Sequence, residues 1–394
     1  MSTINIGLSW HSSAAGNLGV GALTIGNLVL ARRAAALAGL VPHFTIFGPR
    51  ERGRAYATGP DIAHRIFSGR YIASPGGYLA DVRRLDIMLD IGAGDSFADI
   101  YANRRFAYIV LSKLIPLWAG LPLVLSPQTI GPFSRQPHSA IASHVCRRAA
   151  HVFARDPISL DVTRRLAPGA RTSQVIDVAF ALPYDLPPPR PDGPLRLGIS
   201  VSGLMLSGDN GDGRGFGLGF DYAALTRRLI SRFGAMPDTE VHLIPHVFAP
   251  DVPRDDDALA CDRLQAEFPF CIRAPDFASP SEAKSYIATM DFLTGGRMHA
   301  TIAAFSAGVP VVPISYSSKF EGLYAGLDYP WLVRSRAQDT DSAEALILQA
   351  FDMRATLAAR IAAAMPGVET RLDSYVQALA SHFASAVSKG ATLS

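Results

Sequence analysis

An arginine and a histidine two residues apart, Arg297 and His299, follow the paired glycines Gly295-Gly296 and open a run, 300–308, that reads as a helix. The apolar strand 291–294 leads into them. Both side chains therefore stand at the helix start, where unpaired backbone N–H groups and the dipole favour an anion. Two cations there destabilise the isolated helix, so a bound anion would relieve the conflict. The other reading is an Arg and a His bonded to nearby carbonyls and a carboxylate in the core. Lys319, which closes the following strand 309–314, adds a third cation and shifts the balance towards an anionic ligand.

Other strand ends carry further polar groups. The turn 11–22 is rich in glycine, with Gly16, Asn17 and Gly19, and such turns let backbone approach a ligand closely. It lacks the GxGxxG spacing, and GxxxxGK, HExxH and GxSxG are also missing, so nicotinamide, flavin and P-loop chemistry receive no support. In 90–101, Asp95 either caps the next helix or, in a glycine-lined cleft, binds sugar hydroxyls or takes a proton. The segment 126–133 offers the amide of Gln128. Asp156 caps a helix with Pro157 at its first position, which aims Arg155 into the cleft from a strand end. His246 ends a strand and by itself reads as a structural histidine.

Positioning these groups requires parallel α/β layers, because short apolar strands alternate with helical patterns along the chain. Strands are expected at 4–9, 44–47, 87–91, 121–125, 151–154 and 175–177, then at 197–201, 241–244, 291–294 and 309–314. Helices are expected at 22–40, 102–118, 139–150, 158–166, 222–233, 256–268, 281–289, 300–307 and 343–364. The proline-rich stretch 183–194 is an extended spacer. The division is an N-terminal Rossmann-like domain over 1–185 and a C-terminal one over 195–365. A helix within 366–394, after a Pro366-Gly367 break, packs back on the first domain. Two such domains facing a cleft set strand C-termini around the ligand. The Gly- and Asp-rich loop 202–220 reads either as a cover over that ligand or as a solvated excursion.

At 394 residues, 48% hydrophobic and 18% charged, the chain can bury two cores. Its net charge is +3, with lysines and arginines scattered rather than striped, which argues against nucleic acid. The three cysteines, Cys146, Cys261 and Cys271, lack metal-ligand spacing and suit a reducing compartment. No metal is expected. The N-terminus begins as a strand without a basic leader, and 106–125, interrupted by Lys113, Pro116, Gly120 and Pro122, reads as a buried helix and strand rather than a membrane span. A cytoplasmic protein is expected, compatible with work at the inner face of a membrane.

Taken in order, these segments resemble the polysaccharide pyruvyl transferase family. The resemblance rests on Gly16-Asn17-Leu18-Gly19, Gln128-Thr129-Ile130-Gly131-Pro132-Phe133, Arg155-Asp156 with Ser159, and Asp177 to Leu182. It continues through Pro245-His246-Val247 and Arg297-Met298-His299, on to Lys319 and Gly322-Leu323. It departs at Val20-Gly21, where members often carry an acidic pair, and at Met298, where leucine is usual.

The resemblance implies a fold similar to GT-B glycosyltransferases and transfer of the enolpyruvyl unit of phosphoenolpyruvate onto a sugar as a cyclic ketal. Phosphoenolpyruvate is a donor substrate, and no cofactor is expected. Arg155, Arg297, His299 and Lys319 would bind its carboxylate and phosphate, for which a guanidinium fork is suited. A histidine beside a phosphate can hold its proton near neutral pH, which makes His299 the general acid, with Arg297 and Asp95 the other catalytic residues. Gly16, Asn17, Gly19, Asp95, Gln128 and His246 would face the acceptor, a free, nucleotide-linked or lipid-linked saccharide. Two other readings stay open: a nucleotide-sugar glycosyltransferase of the same architecture, and a non-catalytic sugar- or phosphate-binding member of a polysaccharide assembly complex.

Overall fold

Alternating apolar strands and helices build two parallel sheets, seen in a computed structural model that describes residues 2–188, 193–208 and 217–393. Residues 209–216 of the loop 202–220, and 189–192 of the spacer, lie outside the described residues. The chain forms two units. The first comprises Met1–Ala15, Leu23–Ala181 and Val368–Ser394; the second comprises Gly16–Ala22 and Leu182–Gly367.

The first unit runs β1 (Ser2–Ser9), α1 (Leu18–Leu37), β2 (Leu40–Gly48), β3 (Ile62–Ile66), α2 (Gly69–Ala73), α3 (Tyr78–Val82), β4 (Ile87–Asp90), α4 (Asn103–Trp118), β5 (Leu123–Gln128), α5 (His138–Arg148), β6 (His151–Ala154), α6 (Pro157–Leu166) and β7 (Thr172–Gln174). The sheet order is β3-β2-β1-β4-β5-β6-β7, all parallel. Its central strands β4, β5 and β6 are buried at every position, which is why each carries a continuous apolar run (87–89, 123–125 and 152–154) rather than an alternating one.

The second unit runs β8 (Leu195–Ser200), α7 (Gly203–Ser207), α8 (Tyr222–Gly234), β9 (Thr239–Ile244), α9 (Asp257–Glu267), β10 (Ile272–Arg273), α10 (Pro280–Ile287), β11 (Phe292–Gly295), α11 (Met298–Ser306), β12 (Val311–Pro313), α12 (Ser318–Ala325) and α13 (Thr340–Asp352). Its sheet, β10-β9-β8-β11-β12, is also parallel. The long α14 (Arg354–Leu393) follows.

Both sheets reverse their winding once, between β1 and β4 in the first unit and between β8 and β11 in the second. Ligands of such sheets bind beyond the strand C-termini at these reversals. Each unit is thus a Rossmann-like α/β domain.

Three expectations are corrected. Pro366-Gly367 does not break the last helix, because α14 runs through it. Ala362, whose carbonyl loses its helical partner to Pro366, is exposed, so water can satisfy it. The strands β3 and β10 escaped the sequence reading: β3 is an edge strand with every residue but one exposed, and β10 has only two residues. Finally, residues 175–177 form no strand, and the edge strand β7 ends just before them at Gln174. The 106–125 stretch is helix followed by strand, as expected, and the described helix long and apolar enough to cross a membrane is Leu18–Leu37, with 61% of its apolar window buried in the fold.

Tyr375 of α14 donates to Asn27 at 2.9 Å and to Ser126 at 3.0 Å inside the first unit. Asn27 in turn meets His11 Nε2 at 2.9 Å, and His11 Nδ1 lies 3.0 Å from the Ser9 carbonyl. This buried chain of polar groups fixes the exit of β1.

Candidate functional site

The second unit's winding reversal carries the Arg–His pair. At the end of β11, a Cβ on Gly295 would lie 2.3 Å from the Ser200 carbonyl oxygen, so only glycine lets β11 pass the end of β8 this closely. The chain then turns through Arg297, whose extended backbone is the N-cap of α11 and which puts His299 in the first helical turn.

Arg297 is buried, and its guanidinium is held by the protein itself. Nε donates to both oxygens of Asp257 at 3.2 and 3.0 Å, and Nη2 donates to Asp257 Oδ1 at 2.6 Å and to Asp255 Oδ1 at 2.7 Å. Asp257 also accepts backbone N–H groups from Gly203 at 2.8 Å, His246 at 3.1 Å and Val247 at 2.9 Å. Burial opposes the charge on Arg297, but the two carboxylates outweigh it and hold the guanidinium above its ordinary range. Burial alone would push the Asp257 carboxyl up. The guanidinium and three N–H groups keep it the anionic partner, and that is the direction the geometry supports. The anion demanded by a cation at a helix start is therefore supplied, for Arg297, by Asp257 and Asp255. Nη1 carries none of these bonds.

His299 sits against the Gly16–Gly19 turn. Leu18 N–H donates to the His246 carbonyl at 3.1 Å, Phe248 N–H to the Gly16 carbonyl at 2.9 Å, and Asn17 bridges antiparallel to Val247. The Asn17 side chain accepts the Gly19 N–H at 3.0 Å, opening α1. A Cβ on Gly19 would stand 2.4 Å from His299 Nδ1, so the glycine defines the slot the imidazole occupies. Gly19→Ala should favour helix α1 by about 0.5–1 kcal/mol yet displace the ring. The expected outcome is lost turnover with an unchanged or higher melting temperature, and parental turnover would show that the ring position is not critical.

His246 is fully buried, and neither ring nitrogen has a hydrogen-bond partner among the described residues. Burial, then the neighbouring His299 and Arg297, lower its pKa to about 3. His11, in the first unit, is likewise lowered to about 3 by burial, against the Ser9 carbonyl. Both are neutral in the fold, while an unfolded histidine gains a proton near pH 6.5. Stability is then full above that value and is lost as pH falls towards 3, by about 1.4 kcal/mol per pH unit for each histidine. Denaturant midpoints measured from pH 7 to pH 4 should fall accordingly, and a flat profile would contradict both burials.

Lys319, half-buried, opens α12 after β12, the sheet neighbour of β11, and its ammonium lies 5.4 Å from the Tyr316 ring centre. Gly16, Asn17, Gly19, His246, Arg297 and His299 are therefore gathered within the second unit, and Lys319 comes from the same sheet edge.

The remaining expected residues belong to the first unit, at the ends of β4, β5 and β6. Asp95 accepts the Tyr101 hydroxyl at 3.0 Å. Gln128 is buried and donates to the Asp90 carbonyl at 2.7 Å and the Ser126 carbonyl at 3.2 Å, tying β4 to β5. Arg155 is also buried and donates through Nη1 to Asp177 at 2.9 Å. Asp156 caps α6 by accepting the Ser159 N–H at 2.7 Å.

Asp257, Asp255 and the buried pair Asp90–Lys113, 2.8 Å apart, were not singled out from the sequence. The signal for the first two was the acidic run 255–257, which reads as a helix cap and does cap α9 through Asp256. For Lys113 it was one lysine on the apolar face of α4; burial lowers its pKa and Asp90 opposes that.

A family model described as polysaccharide pyruvyl transferase matches residues 34–318. No curated protein matches the chain in sequence. A structure of a putative UDP-N-acetylglucosamine 2-epimerase from Listeria monocytogenes is similar at 13% identity and TM-score 0.58, over 97% of each chain. UDP-GlcNAc 2-epimerase from Neisseria meningitidis bound to UDP-GlcNAc matches at 9% identity and TM-score 0.54, over 98% of this chain and 100% of that one. A trehalose-6-phosphate structure from E. coli bound with UDP-2-fluoro glucose matches at 11% identity and TM-score 0.54, over 97% and 98%. At these identities the likeness is one of fold.

Proposed function

This chain belongs to the polysaccharide pyruvyl transferase family, and we propose that it moves the enolpyruvyl unit of phosphoenolpyruvate onto a sugar as a cyclic ketal. The observation that carries the reading is His299, set in the first turn of α11 beside the anchored Arg297 and at the winding reversal of the second sheet. A helix N-terminus, Arg297 Nη1, His299 and Lys319 form a donor set suited to a small, highly anionic molecule. The resemblance adds Arg155 from the first unit. Asp177 holds its guanidinium, so we assign it to positioning rather than to donor contact.

In this reading His299 protonates the methylene carbon of the donor, leaving an oxocarbenium-like centre at C2. One sugar hydroxyl adds there and loses its proton, the C2–O bond to phosphate breaks, and a second hydroxyl of the same sugar closes the ring with loss of its own proton. Inorganic phosphate is the second product. The resemblance assigns Gly16, Asn17, Gly19, Asp95, Gln128 and His246 to the acceptor. Three buried free cysteines suit the cytoplasm as the compartment.

Phosphoenolpyruvate should raise the melting temperature with no nucleotide-sugar present, because a ligand of the folded state stabilises it. Stabilisation by a nucleotide-sugar without an effect of phosphoenolpyruvate would favour glycosyl transfer instead. Release of phosphate with a mass gain on an acceptor oligosaccharide completes the test.

A further inference from the structure

Helix α4 carries a solvent-facing stripe that the transferase reading does not use. Arg104, Tyr108, Leu111, Ile115 and Trp118 recur at spacings of four and three, the period of a coiled-coil seam. Leu111 is 38% exposed and Trp118 67% exposed. Beside the stripe, between α2 and α4, runs a mostly apolar groove of about 380 Å³ lined by Ile72, Ala73 and the stripe itself. The helix is firmly held beneath it. Pro116 frees the carbonyl of Ser112, and Tyr78 supplies the missing donor at 2.8 Å. Trp10 Nε1 donates to Ser112 Oγ at 2.7 Å.

The stripe is self-complementary. Arg104 and Trp118 stand equally far on either side of Leu111, and so do Ala107 and Ile115. If two such helices cross antiparallel about a two-fold axis at Leu111, each Arg104 meets the partner copy's Trp118, and each Ile115 meets a small Ala107. Such an isologous contact has every interaction occurring twice. Arg104 already lies over an aromatic ring, that of Tyr108, at 5.9 Å. Moving onto an indole face would be a stronger cation–π contact.

We propose that this face of α4 is the interface of a homodimer, with Trp118 of each copy entering the groove between α2 and α4 of the other. A tryptophan buries on the order of 150–250 Å². Two of them, with the central leucines, isoleucines and tyrosines, approach the roughly 1,000 Å² that a stable interface needs. A lipid surface is the competing occupant. Helices lying in a membrane surface are rich in Lys and Arg on the polar face, whereas the C-terminal end of this stripe, Trp118-Ala119-Gly120, carries none.

Sedimentation of the full chain at micromolar concentration should give twice 42.1 kDa, and Leu111→Glu should give 42.1 kDa with unchanged circular dichroism. Single cysteines then read the register, because the three native cysteines are buried. On mild oxidation Leu111→Cys should link to itself, Trp118→Cys should not, and Trp118→Cys mixed with Arg104→Cys should form a mixed disulfide. A wild-type monomer, or self-linking of Trp118→Cys, overturns the proposal. A monomer that co-sediments with phosphatidylglycerol vesicles overturns it in favour of a membrane face.

Discussion

In the His299→Ala protein, turnover should fall by about 10²–10⁴-fold, the usual contribution of a positioned proton donor. Donor affinity should change little, because the anchored guanidinium of Arg297, the N-terminus of α11 and Lys319 are left in place. The two quantities separate the roles. A lost proton donor lowers kcat, whereas a lost donor ligand raises the concentration of phosphoenolpyruvate needed for half-saturation or half-maximal thermal shift. His299→Gln keeps a polar group of similar reach without a transferable proton, so it should fall with the alanine variant. Turnover at the parental rate in either variant would remove His299 from the chemistry.

The second large effect concerns stability. Asp257→Ala leaves Arg297 buried with only Asp255 to oppose it and strips three backbone N–H groups of their acceptor. Breaking a buried ion pair from one side costs about 3–5 kcal/mol. Arg297→Met should cost less, because Asp257 keeps its backbone donors and can take up a proton, whereas a guanidinium cannot lose one. The expected order of melting temperature is parent, then Arg297→Met, then Asp257→Ala. An Asp257→Ala protein that melts like the parent would mean the pair is not formed. Both variants should lose turnover, since Arg297 sets the start of the helix that carries His299.

The alternation of apolar runs and helical stretches was enough to read two parallel α/β sheets, because the central strands are buried on both faces and carry little else. Edge strands such as β3 gave no such signal, since their side chains face solvent. Arg297 and His299 were legible because two glycines and a helix start flank them. The partner of Arg297 was not, because Asp257 lies forty residues earlier in a run that looks like an ordinary cap. Nor could spacing show that Gly19 walls in His299, or that His246 is a neutral, buried neighbour of it. Contacts over such separations are set by tertiary packing, and a single sequence carries no local trace of them.

The short turn Gly16–Ala22 has a consequence for dissecting the molecule, because it belongs to the second unit while the chain on either side of it belongs to the first. Expressed from Leu182 onward, a fragment would keep Arg297, His299 and Lys319 but lose the backbone wall against which the imidazole rests. Ending the chain at Ala181 would strip the first unit of Tyr375 and leave Asn27 and Ser126 short of a donor. Neither half is a self-sufficient cassette, so swapping lobes between homologues must carry the turn with the carboxyl half and the terminal helix with the amino half.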